Sequence, residues 1–254
     1  MTTLVTGSGG ATRGGTSKKL GRAWPLHRPQ LLELLGGYVV MTTVFSFLGW
    51  LLTGPFADSP VVRADGRVER WFAGHRTGGW NAASWWGSQL SETTTKVVVT
   101  LVVCAVLLVL LRRWFEALVV AVPLLLEAAV FLTTTLIVGR PRPDVARLDG
   151  SPVGSSFPSG HTAAAACYAA VVVVVFMHTR RRWVRRTAVA VTVAVVVAVG
   201  VARMYRGMHN PTDVVAGVLL GAVSVVVGIR ILRPVTADRS KRPTTGASVS
   251  RPLS

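Results

Sequence analysis

The chain has 254 residues; 50% are hydrophobic, only 15% are charged, and mean hydropathy is +0.49. Soluble domains carry about 25% charged residues and disordered chains far less apolar content, so both classes are excluded, and two Cys exclude a disulfide scaffold. The net charge of +17 arises from 28 Lys and Arg against 11 Asp and Glu, but these cations fall in short clusters between apolar runs, the pattern of membrane topology and not of a nucleic-acid surface.

Residues 1–30 are predicted to be a disordered basic tail. Gly7, Gly9 and Gly10 have no strand before them and no helix pattern after them, so they are not a phosphate loop. Six apolar runs follow: Leu34 to Ala57, Val97 to Leu111, Ala117 to Gly139 (broken by Glu127), Phe157 to Thr179, Thr187 to Ala202 and Val214 to Ile229. A bilayer core about 30 Å thick takes roughly 20 helical residues. The fifth and sixth runs reach that length only if flanking residues join the helix. Several runs are Val-rich, as Val171 to Val175, but backbone in lipid must satisfy itself, so long runs without turn signals are helices. The expected fold is all-α: a six-helix transmembrane domain over 31–232, an outer loop at 58–92 and a disordered tail at 233–254. The first run starts too late and is too long for a cleavable signal, so it reads as a retained anchor.

Orientation follows the cations. Clusters at Arg13 to Arg28, Arg112 and Arg113, Arg180 to Arg186, and Arg230 to Arg242 alternate with the other connections. This places both termini in the cytoplasm and 58–92, 140–156 and 203–212 outside. The 58–92 loop carries four Arg and four acids, and its Trp71, Trp80, Trp85 and Trp86 read as interfacial amphipathic structure. Glu127 reads as a bundle-facing carboxylate, hydrogen-bonded or protonated.

The chemistry concentrates in the other two outer segments. One runs Gly139-Arg140-Pro141-Arg142-Pro143-Asp144 and continues to Phe157-Pro158-Ser159-Gly160-His161; the second runs Arg203 to Asp213. The helical hairpin between them returns the chain to the same face, so they can converge. Arg142 and Arg203 match phosphate oxygens with forked donors. Ser159 and Gly160 stand at a helix start, which suits an anion. His161 and His209 are of the residue type that can titrate near neutral pH. His209 and Asp213 are four apart, and an Asp bonded to one ring nitrogen would leave the other nucleophilic. Taken together these groups point to phosphoryl transfer.

The pattern resembles the type 2 phosphatidic acid phosphatase superfamily of membrane lipid phosphatases. That family carries a Lys six residues ahead of Arg-Pro, then Pro-Ser-Gly-His, then Ser-Arg followed by a spaced His and Asp. Arg142-Pro143, Pro158 to His161, and Arg203, His209 and Asp213 match; Thr135 stands at the Lys position and Ala202 at the Ser. The resemblance implies that His209 attacks phosphorus to give a phosphohistidine, with Asp213 orienting it. His161 protonates the leaving oxygen. Arg142, Arg203, Ser159 and the Gly160 backbone hold the phosphoryl oxygens, and Arg140 compensates for the missing Lys. No metal or cofactor is implied. The expected substrate is a lipid phosphate or diphosphate, either a polyprenyl diphosphate or a phosphatidate-like lipid. The remaining alternatives are phosphoryl transfer to another acceptor and a non-enzymatic lipid-binding or transport protein. The sequence leaves the oligomeric state open.

Overall fold

The structure, a computed structural model, describes residues 26–112, 114–150 and 154–232. The chain runs α1 (Arg28–Thr53), α2 (Pro60–Gly74), α3 (Gly78–Gln89), α4 (Thr93–Leu111), α5 (Trp114–Val138), α6 (Gly160–Cys167), α7 (Ala169–His178), α8 (Arg182–Tyr205) and α9 (Pro211–Leu232). No strand occurs among the described residues. The fold is all-α, with six segments long and apolar enough to cross a bilayer: α1, α4, α5, α6 with α7, α8, and α9. Flanking residues do join the two short apolar runs: Arg203 lies in the last turn of α8, and α9 extends from Pro211 to Leu232. The predicted tail at 233–254 and residues 1–25 of the predicted tail at 1–30 lie outside the described residues; the end of the latter is helical, since α1 begins at Arg28.

Lipid is as apolar as Leu, so helices in a bilayer associate through close packing more than through hydrophobic burial. The central seam shows this. A Cβ on Gly217 would lie 2.5 Å from the Ser159 carbonyl oxygen, and one on Gly221 would overlap the Ala163 carbonyl. The absent side chains let α9 lie directly against α6, whose Ala163, Ala164 and Ala165 are fully buried. Around the seam, Met41, Phe45, Leu126, Val130 and Leu220 join α1, α5 and α9 in one apolar cluster. A second cluster, including Val119, Val122, Val174 and Val225, joins α5, α7 and α9. At the edge of the bundle, α4 has no buried residue.

The two helices between α1 and α4, α2 and α3, are amphipathic in an inverted sense. Ser59 and Thr77 cap α2 and α3 through their hydroxyls. The inward faces carry Asp65, Glu69, Ser84 and Ser88, all buried. Trp71, Trp80, Trp85 and Trp86 point outward and are exposed. Polar side chains therefore meet the connecting loops, while indole rings face the surroundings, as they do at a bilayer interface.

Candidate active site

Two connections, after α5 and after α8, are tied together at one end of the bundle. The segment after α5 turns at Gly139, which has φ +59°. Arg140 then accepts the Ser156 backbone N–H through its carbonyl (2.8 Å), and the Ser156 hydroxyl donates to the Pro141 carbonyl (2.9 Å). The guanidinium of Arg142 reaches the loop after α8, donating to the Met208 carbonyl at 2.6 Å and to the Ser155 carbonyl at 3.2 Å. That loop turns at Gly207, with φ +70°. The predicted convergence of the two motif segments is thus realised by Arg142 and by the Leu148 and Ser159 backbone N–H groups, which donate to the Arg206 and Asp213 carbonyls at 3.0 Å each.

The segments enclose a cavity of about 290 Å³ lined by Arg142, Gly160, His161, Arg203 and His209. His209 is almost fully buried, and its Nδ1 lies 2.7 Å from the Ser156 carbonyl oxygen. A carbonyl only accepts, so Nδ1 carries the hydrogen and Nε2 keeps its lone pair. Burial, and then the positive charges of Arg203 and Arg142, hold the His209 pKa well below the ordinary imidazole value. The ring is neutral at neutral pH, as a nitrogen nucleophile must be. His161 places Nε2 2.8 Å from a carboxylate oxygen of Glu92. Arg203 donates to the Ser88 hydroxyl (2.7 Å) and to Asp149 (3.1 Å), while its Nε is buried with no hydrogen-bond partner among the described residues. Asp149 in turn accepts from Arg206. Two arginines, a neutral imidazole and a second imidazole paired to a carboxylate therefore share one small polar chamber. Such a set can bind a phosphoryl group and move it through a ring nitrogen.

Three predicted residues sit differently from the sequence-based expectation. Asp213 does not hydrogen-bond His209. Its carboxylate accepts from the Asn210 backbone N–H (2.8 Å) and side chain (3.2 Å) and pairs with Arg140 (2.5 Å). Spacing of four places His209 and Asp213 near each other, but His209 precedes the helix, and the third helical residue naturally reaches back to the cap. The group that fixes the His209 tautomer is the Ser156 carbonyl. Arg140 is not free to hold phosphate either: it is buried, and its fork spans Asp213, Thr212 and Asp65. Ser159 is fully buried, its hydroxyl shared with Thr162 and its N–H given to the Asp213 carbonyl. At the motif position of the missing Lys, Thr135 is buried and donates to the Leu132 carbonyl. Glu127 is fully buried, and neither oxygen has a hydrogen-bond partner among the described residues, so the hydrogen-bonded alternative is not observed.

The structure also brings in residues that the motifs did not single out. Glu92, Lys96, Ser88 and Asp149 line the same cavity. Asp65 of α2 completes the buried Arg140 network by accepting from the Thr212 N–H (3.1 Å) and hydroxyl (2.5 Å). Lys96 appears in the sequence only as the charge that bounds the second apolar run, Val97 to Leu111. Glu92, Ser88 and Asp65 lie in the 58–92 connection, where acids and serines are unremarkable. Among the described residues no group of three His, Cys, Asp or Glu side chains stands together as metal ligands would.

Comparison with known proteins agrees with this frame. No curated protein matches the chain. In fold it is similar to the first transmembrane PAP2-type phosphatidylglycerolphosphate phosphatase from Bacillus subtilis, with a TM-score of 0.68 and 20% identity, covering 78% of this chain and 98% of that one. LpxE from Aquifex aeolicus is similar with a TM-score of 0.51 and 21% identity, covering 65% of this chain and 93% of that one. The stretch that carries all three motifs, residues 114–236, matches the model of the PAP2 superfamily.

Proposed function

We propose that the protein is a multi-pass membrane lipid phosphatase that works through a phosphohistidine on His209. The observation that carries this reading is the His209 tautomer: the Ser156 carbonyl takes Nδ1, which leaves a neutral Nε2 in a chamber with two arginines and His161. Nε2 attacks phosphorus while the bond from phosphorus to the lipid oxygen breaks. His161 gives that oxygen a proton. In the second half His161 takes a proton from water, the hydroxide attacks phosphorus, and the P–N bond breaks to release phosphate and regenerate Nε2. Arg142, Arg203 and the start of α6 at Gly160 stabilise the equatorial oxygens. Asp213 acts through Arg140 and the cap of α9, positioning His209 without touching it.

A lipid phosphate is the substrate class, because the chamber belongs to a protein with six membrane spans. Polyprenyl diphosphates and phosphatidate-like lipids are candidates, and similarity in fold to a phosphatidylglycerolphosphate phosphatase adds that phospholipid to the panel. The cation clusters support cytoplasmic termini and an outward chamber. The test is phosphate release in detergent with EDTA present, from a panel of lipid mono- and diphosphates. Wild type is expected to release phosphate from at least one lipid, and His209→Ala from none. Activity of His209→Ala near that of wild type would remove the histidine mechanism.

A further inference from the structure

The motif position that should supply a lysine holds Thr135, whose hydroxyl is committed to its own helix and whose side chain is buried away from the cavity. Arg140, the obvious substitute along the chain, is equally unavailable, locked between Asp213 and Asp65. A phosphoryl group carrying two negative charges in this chamber would still meet two arginines, but it would lack the compact ammonium that the motif provides.

The structure supplies one from a different helix. Lys96 lies on the first turn of α4, adjacent to α5, and lines the cavity together with Arg142, Arg203, His161 and His209. It is the only charged residue between Thr93 and Leu111. A charge at the mouth of an apolar span is accommodated where it faces a polar cavity. Among the described residues its ammonium makes no ion pair and no hydrogen bond, although the buried Glu127 lies in the neighbouring helix, with both oxygens also unbonded. A lysine held at a polar chamber without a protein partner has its donors available for a ligand. Glu92, four residues earlier and so on the same face of the chain's entry into α4, meets His161 at 2.8 Å. The start of α4 is thereby fixed against the chamber with Lys96 one turn further in.

We infer that Lys96 binds phosphoryl oxygens in this cavity, taking over from across the helix boundary the role for which position 135 has no cation. The inference deepens the phosphatase reading and rests on it for its physiological ligand, but phosphate binding can be read without turnover.

The test uses the full chain in detergent, with inorganic phosphate as the probe in titration calorimetry, alongside kcat/KM on whichever lipid phosphate is hydrolysed. The variants are Lys96→Met, Lys96→Arg and Glu127→Gln. Losing one charge-assisted contact should weaken phosphate binding roughly 10- to 100-fold in Lys96→Met, with a matching fall in kcat/KM. Lys96→Arg keeps the charge and should recover most of the binding; it also reads the claim should Lys96→Met fold poorly. Glu127→Gln should bind phosphate within about threefold of wild type, since Lys96 serves the cavity and not that carboxylate. Lys96→Met binding phosphate as wild type does would overturn the inference, even if wild type hydrolyses lipid phosphates. So would Lys96→Arg binding as poorly as Lys96→Met, or wild type binding no phosphate. Weakened phosphate binding in Lys96→Met in a protein that hydrolyses no lipid of the panel would uphold Lys96 and remove the phosphatase reading instead.

Discussion

The two sides of the chamber are built in opposite ways. On one side, α6 and α9 meet through glycine and alanine, and the loops that open them are bound by Arg140, Asp65, Asp213 and the Ser156 backbone. His209 and the Arg142 guanidinium sit on this side with little freedom to move. On the other side, α4 has no buried residue and packs chiefly on α5. It nonetheless brings Lys96 into the chamber, and the turn before it brings Glu92. If His209 is the nucleophile, as proposed, the contrast has a physical reason: a ring nitrogen must be aimed within a fraction of an ångström, which takes a tightly packed frame. A phosphate-binding cation on a long flexible stem does not need one. On the proposed mechanism the same division accounts for Thr135: a phosphate-binding lysine can come from any helix that borders the cavity, whereas a nucleophile at His209 cannot be moved.

The comparison can be broken at the frame first, where the effect should be largest. Arg140→Met leaves the Asp65 and Asp213 carboxylates buried side by side without their cation. Breaking such a pair costs about 3–5 kcal/mol, so thermal unfolding in detergent should show a large loss of stability, and activity should vanish with it. Asp65→Asn combined with Arg140→Met should recover part of that stability. An Arg140→Met protein as stable as wild type would show that the network is not what holds the frame.

On the α4 side, effects should be smaller and fall on activity alone. Glu92 is half-exposed, and His161 lowers its pKa from the ordinary carboxylate value against the opposing effect of burial. Glu92→Gln keeps a hydrogen-bond acceptor but removes the charge that orients His161. The expected result is roughly a tenfold lower kcat, with KM little changed and the melting temperature unmoved. A rise in KM alone would instead place Glu92 in substrate binding.

The smallest effect concerns α2. Burial, and then the Asp213 and Asp65 carboxylates, raise the Glu69 pKa from 4.5 to about 8, against the pull of Arg76. The folded state therefore holds a proton that the unfolded chain releases near 4.5. The stabilisation is full below that value and declines as pH rises toward about 8. Melting temperature should fall across this window, and Glu69→Gln should flatten the decline. An unchanged pH profile in that variant would assign the dependence to another group.

Much of the frame was legible in the sequence, because composition and run length determine membrane helices almost directly. The six spans and the meeting of the Arg142, His161 and His209 segments follow from apolar runs and hairpin geometry. The partners of the polar residues were not legible. Spacing of four placed Asp213 beside His209, but a carboxylate at the third position of a helix has a nearer partner in the cap. Arg140 looked like a spare phosphate ligand because its true partner, Asp65, lies 75 residues away in a helix whose inward face is acidic. Lys96 and Glu92 belong to no motif segment, and only packing of α4 on α5 carries them to the chamber.

The central claim is that Nε2 of His209 becomes covalently phosphorylated. The most direct measurement is rapid acid-free quenching of a reaction with a ³²P-labelled lipid phosphate, followed by mapping of the labelled peptide, in wild type and in His209→Ala. The account predicts an alkali-stable, acid-labile label on the peptide containing His209 in wild type, and none in His209→Ala. Phosphate release by wild type with no label on any histidine under these conditions would contradict it.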